Sequence, residues 1–451
     1  MGVLFPDGYD GPALSQSPQA QRAGKPGGLS AVTSRWLDGG DPVGRKSLGQ
    51  YMTPRPVAEA LLDRVDLLPR MRVLDPGVGT GELLRAVLDR EPEIEAVGWD
   101  VDPGVVEAAG DLVPEARLEV RSALRTSQAE PGGFDLVIAN PPYFQLALDA
   151  AERSRFDGVI SGRANIFALF FQVGIEMLEP GGHLAFIVPP SMNSGAYFEA
   201  LREFLTARAE VIDLTVLEGT DIFAGANTAI QLLVLCKSDR AVGRISGIGD
   251  VNPTRRGFVF RREVEEAGFR RVLFTPDPVR LAEEFENRRT LWELGLEAST
   301  GQVIWNENRD RLENDPGPDR VPLVWSRDIG ATWPGRPGAR PAGKPAFYLT
   351  GEGGRSPLVG PAIAVNRVVG AVGRGELRAT FIPEGVEFLA ENHVNVIRRR
   401  GSGSGGGKGD FPGWDVVLEL LRRPDVAGRV RLLTGNTQIS ARELTHLLPL
   451  G

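Results

Sequence analysis

The residues best placed to do chemistry are Asn140-Pro141-Pro142-Tyr143, with Phe144 behind them. They follow Phe134-Asp135-Leu136-Val137-Ile138, a short apolar run that reads as a buried strand whose ladder the prolines stop. The Asn140 side-chain oxygen and a neighbouring backbone carbonyl, freed because Pro141 cannot continue the ladder, can both accept hydrogen bonds from one planar amino group. Tyr143 offers a flat face beside them. Such a grip would hold an NH2 on a ring or an amide and bias its lone pair toward an electrophile. The same residues would also serve as a proline turn with a capping Asn and a packed Tyr, so the rest of the chain must discriminate.

A second set supplies a candidate electrophile. Arg72-Val73-Leu74-Asp75-Pro76-Gly77-Val78-Gly79-Thr80-Gly81-Glu82 reads as a strand, a glycine-rich turn and a helix start. A second strand from Ile94 to Trp99 leads to Asp100, an acid 25 residues beyond Asp75, where an α/β nucleotide fold presents a carboxylate to ribose hydroxyls. Asp75 beside the glycines would repel a phosphate. It suits a ligand that carries an ammonium group, such as the methionine end of S-adenosylmethionine, which separates a methyl donor from NAD.

The elements that must position these residues follow in order. Thr53 stands where a helix N-cap belongs, with Pro54 at the first helical position and Val57, Leu61 and Leu62 on one apolar face. A third strand around Leu118-Glu119-Val120 ends at Arg121-Ser122-Ala123-Leu124, and the fourth leads to Asn140. Ile166, Leu169, Phe170, Val173 and Met177 repeat at helical spacing and read as core, and Leu184–Pro189 as a further strand. A helix near 196–208 and strands near 211–217 and 229–236 complete seven strands with intervening helices, an α/β fold. The loop between the last two strands carries Phe223, either tucked into the core or a second flat face over the site. Beyond about 245 the alternation stops. Short strand-like runs, many Gly and Pro, and isolated tryptophans indicate a separate α+β domain over 246–451. Residues 1–44, rich in Gly, Pro, Ser and Gln, read as a mostly disordered tail.

Composition narrows the class. The 451 residues carry 42% hydrophobic and 24% charged side chains, an ordinary soluble globular balance. One cysteine, Cys236, and three scattered histidines argue against a disulfide framework and a metal site. No apolar run or leader-like N-terminus suggests a membrane or secretion, so the expected location is the cytoplasm. The net charge of −8 is unevenly placed: residues 1–245 hold 22 Lys and Arg against 33 Asp and Glu, whereas 320–451 hold 18 against 11. An acidic first domain followed by a basic surface fits a partner with phosphates.

Together these residues resemble the class I S-adenosylmethionine-dependent amino-methyltransferases, most closely the DNA adenine-N6 methyltransferases of the TaqI/Eco57I type. The resemblance is specific over 46–237. It is looser around Ser299–Val303, Asn392–Ile397 and Gly435–Ser440, which look like landmarks of such recognition domains. It implies a Rossmann-like seven-stranded methyltransferase sheet over 45–245, a C-terminal α+β target-recognition domain over 246–451, S-adenosylmethionine as cofactor and double-stranded DNA as partner. A separate cognate restriction endonuclease is a further implied partner. By the same resemblance, Thr53, Asp75, Gly77, Gly79, Gly81, Asp100, Ser122 and Asn140 would hold the donor. Asn140, Pro141, Pro142 and Tyr143 would form the catalytic grip, with Phe223 stacking on a flipped-out adenine. Two positions depart from the pattern: Val78 stands where Cys or Ala is usual, and Ser122 where an Asp commonly bonds the donor's adenine amino group. A glutamine-N5 protein methyltransferase, an RNA amino-methyltransferase and an inactive DNA-binding relic are the competing readings.

Overall fold

A computed structural model describes residues 28–39, 51–125, 133–217, 230–238, 258–264, 269–330, 344–367, 376–401, 410–434 and 438–451. Seven strands form one sheet: β1 (Arg72–Asp75), β2 (Glu95–Asp100), β3 (Arg117–Val120), β4 (Phe134–Ala139), β5 (Leu178–Val188), β6 (Ala209–Leu217) and β7 (Ile230–Lys237). Their order is β3-β2-β1-β4-β5-β7-β6, with β7 antiparallel to both neighbours and the other pairings parallel. The central strands are continuous apolar runs because helices cover both faces, leaving no solvent side for alternate polar residues.

On one face lie α2 (Arg55–Leu62), α3 (Glu82–Arg90) and α4 (Pro103–Leu112), whose buried Leu61, Leu84 and Ala109 join Ile138 and Ile187 of the sheet. On the other lie α6 (Ile166–Met177) and α7 (Glu199–Thr206). Only Glu176 of α6 escapes burial, which explains its almost wholly apolar sequence. The chain winds outward from β1 to β3, then returns to β4 and continues the opposite way. The carboxyl ends of β1 and β4 therefore flank the crevice where the winding reverses, and Asp75 and Asn140 stand there.

Three expectations are corrected. Residues expected in a disordered tail include a helix, α1 (Ala31–Gly39), which packs against α4 and buries Thr33 completely. Thr53 is not the cap of α2; Pro54 occupies that position without a side-chain bond, because the Thr53 hydroxyl serves Asn140 instead. The strand expected from Leu184 begins at Leu178, six residues earlier, since Gly181 and Gly182 lie within the strand rather than ahead of it.

After β7 the chain forms a hairpin, β8 (Val259–Val264) with β9 (Phe269–Phe274). An antiparallel four-stranded sheet and a mixed five-stranded sheet follow, with helices α8 (Pro278–Glu286), α9 (Trp414–Arg422), α10 (Val426–Thr434) and α11 (Ala441–His446). This is the α+β organisation expected; the boundary expected at 245 lies outside the described residues. Val272 and Phe274 belong to the core of the first sheet, whereas Phe260, Phe269 and Leu273 belong to the core beneath the later helices. The hairpin is thus a wall shared by two cores. The three looser landmarks meet at one seam: Gly301 N donates to Val394 O at 2.8 Å and Asn395 Nδ2 to Ile439 O at 3.0 Å. Residues 435–437 of the last landmark lie outside the described residues. No helix among the described residues is long and apolar enough to cross a membrane.

Candidate active site

The glycine turn is built by backbone bonds that only a bent chain can make. Val78 N donates to Trp99 O at 2.8 Å, stitching the turn to the end of β2. Gly79 (φ +53°) and Gly81 (φ +91°) occupy the left-handed region, which costs a side-chain-bearing residue roughly 1–2 kcal/mol. The turn aims its N–H groups at carboxylates: Gly77 N donates to Asp75 Oδ1 and Gly79 N to Asp100 Oδ2, both at 3.1 Å. Asp75 is almost wholly buried, and that burial pushes its pKa up to about 8. The Gly77 N–H pulls against the rise, and the charge of Asp100 adds to it. Asp100 is raised for the same first reason, loss of water, opposed by the Asp102 and Gly79 N–H groups. Two desolvated acids facing one cavity favour a cationic ligand.

Across the crevice, Asn140 is fixed at both ends of its amide. Nδ2 donates to Tyr51 O at 2.9 Å and to Thr53 Oγ1 at 3.2 Å, which leaves Oδ1 on the opposite side. The Tyr143 hydroxyl sits 2.8 Å from Oδ1 and 2.8 Å from Ile187 O on β5. Burial pushes the Tyr143 hydroxyl above its ordinary pKa, so it stays protonated and donates its one proton to one of these oxygens at a time. The Tyr143 ring lies edge-on to Phe167 of α6, with centroids 6.2 Å apart at 83°. The loop is pinned from the far side as well, Ile166 N donating to Phe144 O at 3.0 Å.

One cavity joins the two sets. It is lined by Thr53, Asp75, Gly77, Gly79, Asp100, Ser122, Asn140 and Pro142 among the residues expected from sequence. Gly81, Pro141 and Tyr143 do not line it: Gly81 caps α3, Pro141 is buried, and Tyr143 packs on the core. Phe223 lies outside the described residues. The lining also includes Phe144, and Met52, Thr80, Glu82, Arg121 and Phe170, which sequence reasoning did not single out as site residues. An acid directly after the last glycine, as at Glu82, was the signal available for one of them, and the structure buries it.

The cavity's chemistry fits S-adenosylmethionine. Asp75, Asp100 and Glu82 supply acceptors for an ammonium and for hydroxyls, and Val101, Ala123, Leu124 and Phe144 supply an apolar end for a purine ring. Among the described residues, no group of three or more His, Cys, Asp or Glu is arranged to hold a metal ion.

Residues 106–223 match the family model described as Eco57I restriction-modification methylase. The Type II methyltransferase M.BsuBI of Bacillus subtilis is 24% identical over 332 residues, covering 64% of this chain and 65% of that one. The release factor glutamine methyltransferase of Caulobacter vibrioides is 32% identical over 151 residues, covering 30% of this chain and 52% of that one. Among solved structures, a type I restriction-modification system methyltransferase subunit from Streptococcus thermophilus covers 43% of this chain and 46% of its own, at 21% identity and a TM-score of 0.37. The chain spans less than two thirds of the length of the curated relatives it matches. With a donor-sized cavity in the reversal crevice of its sheet and a family match over residues 106–223, the chain is similar to the S-adenosylmethionine-dependent methyltransferases of the Eco57I restriction-modification type.

Proposed function

We propose that this chain methylates the N6 amino group of an adenine flipped out of duplex DNA at a specific sequence, as the modification half of a restriction-modification or phage-defence system. The observation that carries the reading is the locked amide of Asn140 at the edge of the donor cavity. Its Oδ1 has two lone pairs; Tyr143 engages one and the other is the acceptor for the target NH2. S-adenosylmethionine, when bound, supplies an electrophilic methyl group. The residues of the chain contribute position: Asn140 orients the amino nitrogen, and the Tyr51 and Thr53 oxygens stop its amide from turning over. The amino proton leaves after transfer, so no side chain need act as a base. An adenine inside a duplex cannot reach the crevice, and extruding it costs a few kcal/mol, which stacking on Phe223 would offset.

The later domain supports DNA as the substrate. Arg309 lies over the Trp305 ring at 4.7 Å, and Lys344 lies 4.4 Å from Trp305 and 4.3 Å from Trp325, a display of cations on aromatic supports suited to a duplex backbone. A glutamine amide presents the same NH2, and the similarity to a release factor glutamine methyltransferase keeps that chemistry in view. A protein substrate gives no use for a second domain of this size.

The test is transfer from labelled donor with duplex DNA present, followed by single-molecule mapping of modified bases. N6-methyladenine at a recurring sequence is the expected result. Label found only in protein or RNA overturns the reading, and cytosine-N4 methylation would replace adenine with cytosine.

A further inference from the structure

The segment Gly28–Gly39 lies outside every site residue discussed so far, yet several of its hydrogen bonds lead to the walls of the donor cavity. Ser30 N donates to Glu82 Oε1 at 2.8 Å, and Gly28 O accepts from Arg55 N at 2.9 Å. Between these anchors runs a chain of hydroxyls. Ser30 Oγ donates to Thr33 Oγ1 at 3.0 Å, Thr33 Oγ1 and Thr80 Oγ1 are 2.7 Å apart, and Thr80 Oγ1 donates to Met52 Sδ at 3.3 Å. Each hydroxyl has one proton. Since the Thr80 proton goes to Met52, the proton between the threonines is Thr33's, and the chain runs in one direction from Ser30 to Met52.

Thr33 is fully buried and Thr80 nearly so, so neither hydroxyl can exchange its partner for water at no cost. Met52, Thr80 and Glu82, three of the four residues this network reaches, line the donor cavity; the fourth, Arg55, does not. Met52 in turn backs the left-handed glycine of the turn: a Cβ at Gly79 would stand 3.4 Å from its sulfur. The helix that starts at Ala31 buries only Thr33 of its own residues, and these polar bonds and its contact with α4 help attach it.

We infer that Thr33 is a positioning residue for the methyl donor, holding Thr80 and Met52 in the conformation that binds S-adenosylmethionine, and that the strap 28–39 and the donor stabilise one another. The coupling is reciprocal by linkage: if the strap tightens donor binding, the donor must tighten the strap.

The experiment uses the full chain and S-adenosylmethionine itself. Thr33→Val keeps the shape and removes the hydroxyl, and donor affinity should fall on the order of tenfold, as expected for losing one buried hydrogen bond. The donor KM should rise in parallel while kcat at saturating donor stays within about twofold. Thr33→Ser restores the hydroxyl and should restore affinity, which a purely packing role for the Thr33 methyl would not do. Hydrogen exchange of the amides of residues 30–39 should slow when the donor is added to the unmodified protein. Wild-type affinity in Thr33→Val, equal losses in Thr33→Ser and Thr33→Val, or exchange in the strap that ignores the donor would each overturn the inference.

Discussion

The Tyr143 hydroxyl lies 2.8 Å from Asn140 Oδ1, although each side chain alone has the chemistry to face a substrate. It lies equally close to Ile187 O, so one phenol proton is shared between the amide at the end of β4 and the neighbouring strand β5, reaching one oxygen at a time. Replacing Tyr143 by Phe keeps the ring against Phe167 and removes the shared proton. Steady-state kinetics should show kcat lowered roughly tenfold, the worth of one buried hydrogen bond, with donor affinity unchanged. A Tyr143→Phe enzyme with unaltered kcat would detach this bond from catalysis.

Asn140→Ala removes the acceptor itself. Methyl transfer should fall at least on the order of 10²–10³-fold, in the range seen when one positioned hydrogen-bonding group is lost from a transition state. Donor binding, followed by calorimetry, should persist, because the acids at the glycine turn are untouched.

Asp75 sets a pH dependence whose sign can be worked out. In the unliganded protein its pKa is raised to about 8 from 3.8, so the folded state holds a proton that the unfolded state has released. That contribution to stability is fully present below the unfolded value and is lost as pH rises toward 8. An ammonium-bearing donor needs the ionised form and must displace the proton. Donor affinity should therefore climb from about pH 6 to about pH 7.5, by no more than about tenfold per unit. Calorimetry in buffers of different ionisation enthalpy should register one proton released per donor bound. Asp75→Asn should abolish both effects, weaken donor binding, and raise the melting temperature of the unliganded protein above pH 8.

Arg202 is fully buried, and its guanidinium donates to Met192 O at 2.7 Å, to Gly195 O at 2.9 Å and to Val272 O across the shared hairpin. Arg202→Met fills much of the space but leaves these carbonyls without a donor. A loss of about 3 kcal/mol in urea unfolding is expected. Recovery of full stability in the methionine variant would mean that desolvating the guanidinium costs as much as its bonds return.

Arg309→Ala and Lys344→Ala test the duplex interface. If each neutralises a phosphate, each should reduce the slope of log affinity against log salt by about 0.9 and weaken all sequences alike. Unchanged slopes with relaxed sequence choice would assign them to base edges instead.

The sheet was legible because a two-sided sheet demands apolar residues on both faces of its strands, and the runs Leu136–Ala139 of β4 and Leu232–Cys236 of β7 are written that way. Asp75, Asp100 and Asn140 were legible because each stands at the end of such a strand. Residues that take their role from a neighbour in space were not. Thr53 looks like a cap in sequence, and only the approach of Asn140 reassigns its hydroxyl. Phe170 sits at core spacing on α6, yet its ring reaches the glycine turn, where a Cβ on Gly77 would meet it at 3.1 Å. The helix at 31–39 has a composition that resembles a tail, since what holds it is a threonine partner 47 positions away. The later domain was legible only as a class, because its short strands pair across gaps of up to about a hundred residues, as Leu296 does with Arg399.

The hairpin of Val259–Phe274 sets where this chain can be cut and rejoined. Val272 and Phe274 fill the floor beneath the first sheet, and Phe274 N donates to Asn193 O at 2.9 Å. A chimera spliced ahead of Val259 would bring a foreign hairpin onto that floor, replacing the Val272 and Phe274 side chains and making the carbonyl that accepts from Arg202 depend on a foreign backbone. The workable graft point for exchanging sequence preference is after Thr275, ahead of the helix that opens at Pro278, so that the donor-binding half travels with the strand pair that seals it.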